Sequence, residues 1–280
     1  MNRRGFLALS GGAVLAPSFS FAASVSEAVA AVQGADFVAI GEFHDNPEHH
    51  ELQAKLVAAL APAGLAFEMI PQAMEETVNR LRADGVSRAA LGEALEWEAR
   101  GWPDWSLYAP ILEAAPEAYV AGGGLAKADL GAVYAKGAVG IGEVLAKRYA
   151  LAEPLPEAMR TDMLDVQFEA HCGMIEREKL GAMVEVQRAW DAAYAEAWHR
   201  AGIAGGGLSV LICGNAHARL DRGAPAYLSR AFPDAKVASI GLLEDGVEVG
   251  EGEFTVTLSA AAPERADPCE QMRQAMEKKQ

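Results

Sequence analysis

Two short apolar runs of this chain end in the same unit. DFVAIGEFHD, spanning 36–45, and LSVLICGNAHARLD, spanning 208–221, are each an apolar stretch of strand length followed at once by Gly-x-x-His. Short apolar runs of this kind, separated by amphipathic helical patterns, read as buried strands of a parallel sheet. Gly41 and Gly214 permit a sharp exit from the strand, so the histidine three residues later can turn back over its end. In open α/β sheets ligands gather at the carboxyl ends of strands, which is where both histidines, His44 and His217, then fall.

The rest of the chain supplies the partners such strands need. Leu65–Ile70 (LAFEMI), Ala118–Ala121 and Lys236–Leu242 are further strand candidates. Pro47 to Leu60 reads as a helix with Asn46 as N-cap, proline at the first helical position, and Leu52, Leu56 and Leu60 as its apolar stripe. Ala73–Arg82 and Ser87–Glu98 read as the next helices. Thr161 to Arg200 has no proline and only Gly173 and Gly181 as weak points, so it predicts two long helices in an insertion over about residues 155–201. Phe254–Leu258 follows turn residues at Asp245-Gly246 and Gly250–Gly252 and suits an edge hairpin. The expected fold class is α/β: a mainly parallel central sheet flanked by helices, with a long helical insertion and a C-terminal β-hairpin. One domain is expected over 23–260, followed by a polar, solvated tail over 261–280.

Residues 1–22 have a different character. Arg3 and Arg4 precede an apolar stretch from Phe6 to Ala16, and small residues around Ala22 and Ala23 suit signal-peptidase cleavage. The run Arg3-Arg4-Gly5-Phe6-Leu7 fits a twin-arginine signal, so a cleaved signal and a periplasmic location are expected. The apolar stretch is short for a stable membrane span, which needs roughly 20 residues. The chain carries a net charge of −15, and removing 1–22, which holds two arginines and no acid, leaves −17. That surface argues against nucleic acid and anionic membranes as partners. Cys172, Cys213 and Cys269 contain no CxxC, which excludes a zinc ribbon or thioredoxin motif; either a Cys172–Cys213 disulfide or buried free thiols fit the spacing.

Chemistry concentrates at the strand ends. Glu68 lies inside LAFEMI, where an unpaired carboxylate is costly to bury. With His44 and His217 it forms a candidate cluster, and Glu42 and Asp45 are in reach. Glu42, His44, Glu68 and His217 would suit a divalent transition metal. Without metal, His44, Glu68 and His217 could act as an acid–base set; the structural alternative is a Glu68 paired with Arg219. His49 and His50 point about 100° apart on a helix and read as helix-face residues rather than ligands. Trp97, Trp102, Trp105 and Tyr108 form either a hydrophobic plug or an aromatic wall for a flat ligand, with Tyr108 as an iron ligand. His171 in the insertion offers a second axial-type group. Gln187, Arg188 and Asp191 flank an apolar stripe, where Arg188 either makes a salt bridge or holds a ligand carboxylate.

Taken in order, VAIGEFHDNPEHH, FEMI, GWPDWSLYAPIL, HCGM, the Gln187-Arg188-x-x-Asp191 set and GNAHARLDRGAP resemble the ChaN-like haem-binding uptake proteins over roughly residues 36 to 243. The resemblance implies an exported protein that binds haem in iron acquisition, in some cases as a homodimer enclosing haem, and works with haem or iron transport components. Iron ligation in that family involves tyrosine and histidine without a one-to-one match here; Tyr108 and His171 are taken as the candidate ligands, with Arg188 as the candidate for a ligand carboxylate. The resemblance also implies kinship with the Tiki/TraB and erythromycin-esterase-like superfamily, whose paired Gly-x-x-His motifs and glutamate form a hydrolytic site; these map to Gly41, His44, Glu68, Gly214 and His217. A metal-dependent hydrolase with His44, Glu68 and His217 as catalytic residues is therefore the alternative function. The chain departs from some relatives in lacking a lipobox cysteine, so no lipid anchor is implied. Its Ala121-Gly122-Gly123-Gly124 run is unusually plain for the active edge and reads as a flexible rim or an anion-binding nest.

Overall fold

Alternation along the strands sorts the core into two layers. The structure, a computed structural model, describes residues 23–277 and contains β1 (Phe37–Glu42), β2 (Gly64–Pro71), β3 (Tyr119–Gly124), β4 (Ser209–Gly214), β5 (Val237–Glu244) and β6 (Val256–Ala260). The expected signal peptide lies outside the described residues. The strands form one sheet in the order β3-β2-β4-β1-β5-β6, and every pair is parallel. Val38 and Ile40 of β1, Leu65 and Phe67 of β2, and Val210 and Ile212 of β4 face one layer, against Leu56, Val57, Tyr108 and Ile111 from two helices, Pro47–Leu60 and Trp105–Glu113. Ala39, Ala66, Ala121, Leu211 and Cys213 face the other layer, built on the helices Gly181–Gly205 and Ala224–Ala231. Burial on both faces is what near-continuous apolar strands require, and the α/β expectation stands.

Helix Pro47–Leu60 begins as its sequence predicts: the Asn46 side chain accepts from Glu48 N at 3.0 Å and His49 N at 3.4 Å. The insertion contains two helices, Glu157–Ala170 and Gly181–Gly205, separated by a break at 171–180. They differ in anchorage. The second is embedded along β2 and β3, whereas Met163 is the one buried residue of the first.

Three expectations change. No hairpin forms at the C-terminal end: β6 pairs parallel to β5, from Ile240↔Val256 to Glu244↔Ala260. The turn-rich stretch before it carries the chain back to the level of Ser239, where Thr255 N bonds Ser239 O at 2.9 Å, so β6 enters in the same direction as β5. The Gly122–Gly124 run is the end of β3 rather than a loop. A Cβ on Gly123 would stand 2.7 Å from the Tyr194 ring, so the missing side chain is what admits helix Gly181–Gly205. The disulfide joins Cys172 to Cys269, and Cys213 is a buried free thiol inside β4, where its neighbours hold it away from both partners. The tail is polar and mostly exposed; within it the helix Pro268–Glu277 forms, and Arg265 pairs with Asp45 and Glu244 near the ends of β1 and β5. Among the described residues, no helix is long and apolar enough to cross a membrane.

Candidate functional site

β1 and β4 are neighbours, with Gly41 opposite Cys213 and Glu42 opposite Gly214. The two Gly-x-x-His units therefore stand side by side, one residue out of step. Their glycines are close-approach positions. A Cβ on Gly41 would lie 2.2 Å from Asn215 Oδ1, and one on Gly214 would lie 3.1 Å from His44 Nε2. Glu68 comes from β2, the other neighbour of β4, at a point where the β2–β3 register shifts between Phe67 and Pro71. Such irregularities re-aim a side chain, and Glu68 is turned so that Oε2 accepts from Gly214 N at 2.8 Å.

The remaining oxygen, Glu68 Oε1, is 3.8 Å from His44 Nε2 and 3.8 Å from His217 Nε2. Those distances exceed a direct hydrogen bond. Each imidazole is held from behind by a second buried carboxylate: His44 Nδ1 is 2.6 Å from Glu42 Oε1, and His217 Nδ1 is 2.7 Å from Asp191 Oδ1. A carboxylate on Nδ1 fixes the ring's orientation and leaves Nε2 as the working nitrogen. Glu42 Oε1 also accepts from the Tyr108 hydroxyl at 2.7 Å, and the Gln187 amide lies 2.9 Å from His217 Nδ1. His44 stacks obliquely near Trp102 at 5.2 Å between ring centroids, and His217 meets the edge of Tyr194 at 4.8 Å.

These contacts set the protonation of the cluster. Burial pulls His44 down, but the Glu42 hydrogen bond and the charges of Glu68, Glu42 and Asp45 raise it to about 9. Burial raises Glu42, and the bond from His44, with the charges of His50 and His44, outweighs that and holds it below the ordinary carboxylate value. Burial drives Asp191 up to about 6 against the opposing pull of His217. Burial lowers His217, yet Glu68 and Asp191 raise it overall, so this pair retains a proton where free side chains would release it. Chemically, the cluster holds protons on two imidazole–carboxylate pairs, His44–Glu42 and His217–Asp191, and the His44 side chain is 34% exposed.

The expected site residues divide. His44, Glu68, His217 and Glu42 do come together, yet among the described residues no group of three or more His, Cys, Asp or Glu side chains is arranged to hold a metal ion. Two carboxylate oxygens are already engaged: Glu42 Oε1 by His44 and Tyr108, and Glu68 Oε2 by Gly214 N. Arg219 does not pair with Glu68; it binds Asp221 and Glu253. Tyr108 is fully buried, with its hydroxyl on Glu42, and burial followed by the Glu42 charge pushes it far above an ordinary phenol, which opposes phenolate ligation. Arg188 is buried, with its Nη groups on Glu185 and the Leu151 and Glu153 carbonyls. His171 caps the helix Glu157–Ala170, with Nδ1 on its own Gln167 carbonyl at 2.7 Å. His49 and His50 are scaffold: His49 Nδ1 accepts from Phe43 N at 3.0 Å, and His50 Nε2 donates to His44 O at 2.9 Å.

Sequence reasoning placed Asp191 beside Arg188 and missed its bond to His217. Helical spacing shows only that Gln187 and Asp191, four apart, share one face; the fold turns that face to the strand ends. Beside that face lies a cavity of about 210 Å³, lined by Met163, Val166, Ala170, Ala216, Asp191 and Arg222, among others.

The family described as "Haem-binding uptake, Tiki superfamily, ChaN" matches residues 28–228. A solved structure described as "Cofacial heme binding to ChaN of Campylobacter jejuni" superposes with a TM-score of 0.68 at 18% identity, covering 84% of this chain and 91% of that one. The type III effector HopBA1 superposes with a TM-score of 0.50 at 15% identity, covering 85% of this chain and 94% of that one. At such identities the likeness is one of fold. No curated protein matches the chain.

Proposed function

Because the chain belongs to the ChaN family of haem-binding uptake proteins in the Tiki superfamily, we propose that it is an exported protein that binds haem and hands it on in iron uptake. One observation carries the reading. His44 is the histidine of the strand-end cluster whose ring is locked from behind, by Glu42 at 2.6 Å, while its side chain is 34% exposed beside Trp102. That donor fits haem: the bound iron supplies a coordination position that an oriented imidazole fills, and a carboxylate on Nδ1 strengthens the imidazole as a ligand. His44 would hold the iron in place of Tyr108, whose hydroxyl is committed. Ligation needs Nε2 free of its proton, so with His44 raised to about 9 it is favoured as pH rises.

The cavity of about 210 Å³ beside His217 is smaller than the roughly 300–1,000 Å³ that holds drug-sized ligands. The macrocycle would therefore lie across its mouth, with the weakly anchored helix Glu157–Ala170 shifting to admit it. The Cys172–Cys269 disulfide supports an oxidising compartment such as the periplasm. The resemblance to ChaN-like proteins, some of which enclose haem in a dimer, motivates a homodimer as the loaded form.

Titration with hemin tests the reading. A saturable Soret shift that His44→Ala abolishes, and that His171→Ala and Tyr108→Phe leave in place, is the expected result. A spectrum identical to free hemin would overturn it. Cell fractionation that leaves the protein in the cytoplasm would remove the export part.

A further inference from the structure

Arg222 follows the second histidine motif by five residues and has no role in the cluster just described. Its side chain is 9% exposed, and it lines the cavity beside His217. Its Nη1 is buried and makes no hydrogen bond of acceptable geometry, although the Asp162 carboxylate lies against it. Burial lowers its affinity for its proton, and Glu253 is the one charge that opposes this. A buried guanidinium satisfied by a single carboxylate is costly unless a better anion can take that place.

Asp162 is poorly suited to be a permanent partner. It is 56% exposed and belongs to the helix Glu157–Ala170, whose one buried residue is Met163. A helix so lightly packed opens at small cost. Its far end is fixed by the Cys172–Cys269 disulfide, just after the residue that caps it, so its movement is a swing about that end. Met163, Val166, Ala170 and Ala216 form an apolar wall of the cavity, Gln167, Gln187 and Asp191 add polar groups, and Arg222 is the one cation among the lining residues.

We propose that Arg222 is an anion anchor: an amphipathic ligand lays its apolar body on Met163, Val166, Ala170 and Ala216 and seats a carboxylate on the guanidinium, in the place Asp162 occupies when the helix is closed. Asp162 is then a stand-in for the ligand, and its displacement releases the helix. In a chain of net charge −15, a local cation offsets the repulsion that a carboxylate-bearing ligand meets. Resting on the haem reading above, the ligand is haem and the anion is one of its propionates.

The experiment compares hemin with its dimethyl ester, which has no free carboxylate, on the wild type, Arg222→Gln and Asp162→Asn. The wild type should prefer hemin over the ester by on the order of tenfold, the scale of a charge-assisted bidentate pair. Arg222→Gln should lose that preference while keeping its affinity for the ester, and Arg222→Lys should restore part of it. Asp162→Asn, which frees the anchor without touching the cavity, should bind hemin several-fold faster and speed amide exchange across 157–170. Equal preference for hemin in the wild type and Arg222→Gln overturns the anchor and leaves haem binding standing. If the wild type binds neither porphyrin, the haem reading has failed. The anchor is then decided by dodecanoate against dodecanol: protection of 157–170 from exchange by the acid alone, absent in Arg222→Gln, supports it, and no such protection overturns it.

Discussion

His44 and His217 stand with Nε2 at the same distance, 3.8 Å, from one oxygen, Glu68 Oε1, although 173 positions separate them along the chain. Each has a private carboxylate behind it, and the consequence for His44 is measurable. Its folded value of about 9 lies above the ordinary 6.5, so the stability it contributes is complete below about pH 6.5 and is lost as pH rises through 9. After allowance for the ring's partial exposure, the contribution is roughly 1 kcal/mol, or on the order of 3 °C in Tm. Thermal melts of the wild type should fall by that amount between pH 7 and 9.5. Glu42→Gln, which removes the hydrogen-bonded charge, should flatten the slope; an unchanged slope would detach His44 from Glu42.

Gly214 separates the site from the fold. Its φ of −61° suits any residue, so an added methyl brings no backbone strain, but it would stand 3.1 Å from His44 Nε2 and 3.7 Å from Glu68 Oε2. Gly214→Ala should cost about 1 kcal/mol of stability and weaken hemin binding on the order of tenfold. Gly41→Ala meets Asn215 Oδ1 at 2.2 Å and its Cα at 3.0 Å, and should cost roughly 2–3 kcal/mol. Denaturant melts beside hemin titrations distinguish the two, and equal stability losses would refute the distinction.

The strand-end pair was legible because its parts are local: an apolar run, a glycine and a histidine define a strand exit wherever they occur. Asn46 and Pro47 announced their helix for the same reason. What stayed hidden depended on distant partners. The stretch over 245–255 reads as a hairpin turn because turn residues carry no record of which side of the strand the chain re-enters. Gly122–Gly124 reads as a loop because the helix that needs its bareness lies some 70 positions on, at Tyr194. Asp191 was seen in the sequence, but its bond to His217 joins helix Gly181–Gly205 to the exit of β4, a contact no spacing rule supplies.

Cysteine pairing is one of those distant contacts, and it can be counted. The chain has three cysteines, so denatured, unreduced protein should titrate one thiol, Cys213, and reduced protein three. The bond closes a separation of 97 residues, and Cys269→Ser should cost about 2–4 kcal/mol. Hydrogen exchange should rise across 157–173 and 261–277, with β1, β2 and β4 unaffected. Two thiols, or none, in the unreduced protein would refute the pairing.

Arg188 tests whether burial and ligand binding have been assigned to the correct arginines. Its Nη1 is 3.0 Å from Glu185, and its Nη2 is 3.1 Å and 2.8 Å from the carbonyls of Leu151 and Glu153, so the group ties the start of the insertion to helix Gly181–Gly205. Arg188→Met leaves two buried carbonyls and a partly buried carboxylate without their donor, which should cost on the order of 3 kcal/mol. The folded protein should still bind hemin as the wild type does, because no atom of Arg188 is turned to the cavity beside His217. Melts and hemin titrations of this variant next to Arg222→Gln should show opposite patterns, stability lost in one and carboxylate preference lost in the other. A drop in hemin affinity for Arg188→Met without a drop in stability would return Arg188 to the ligand site.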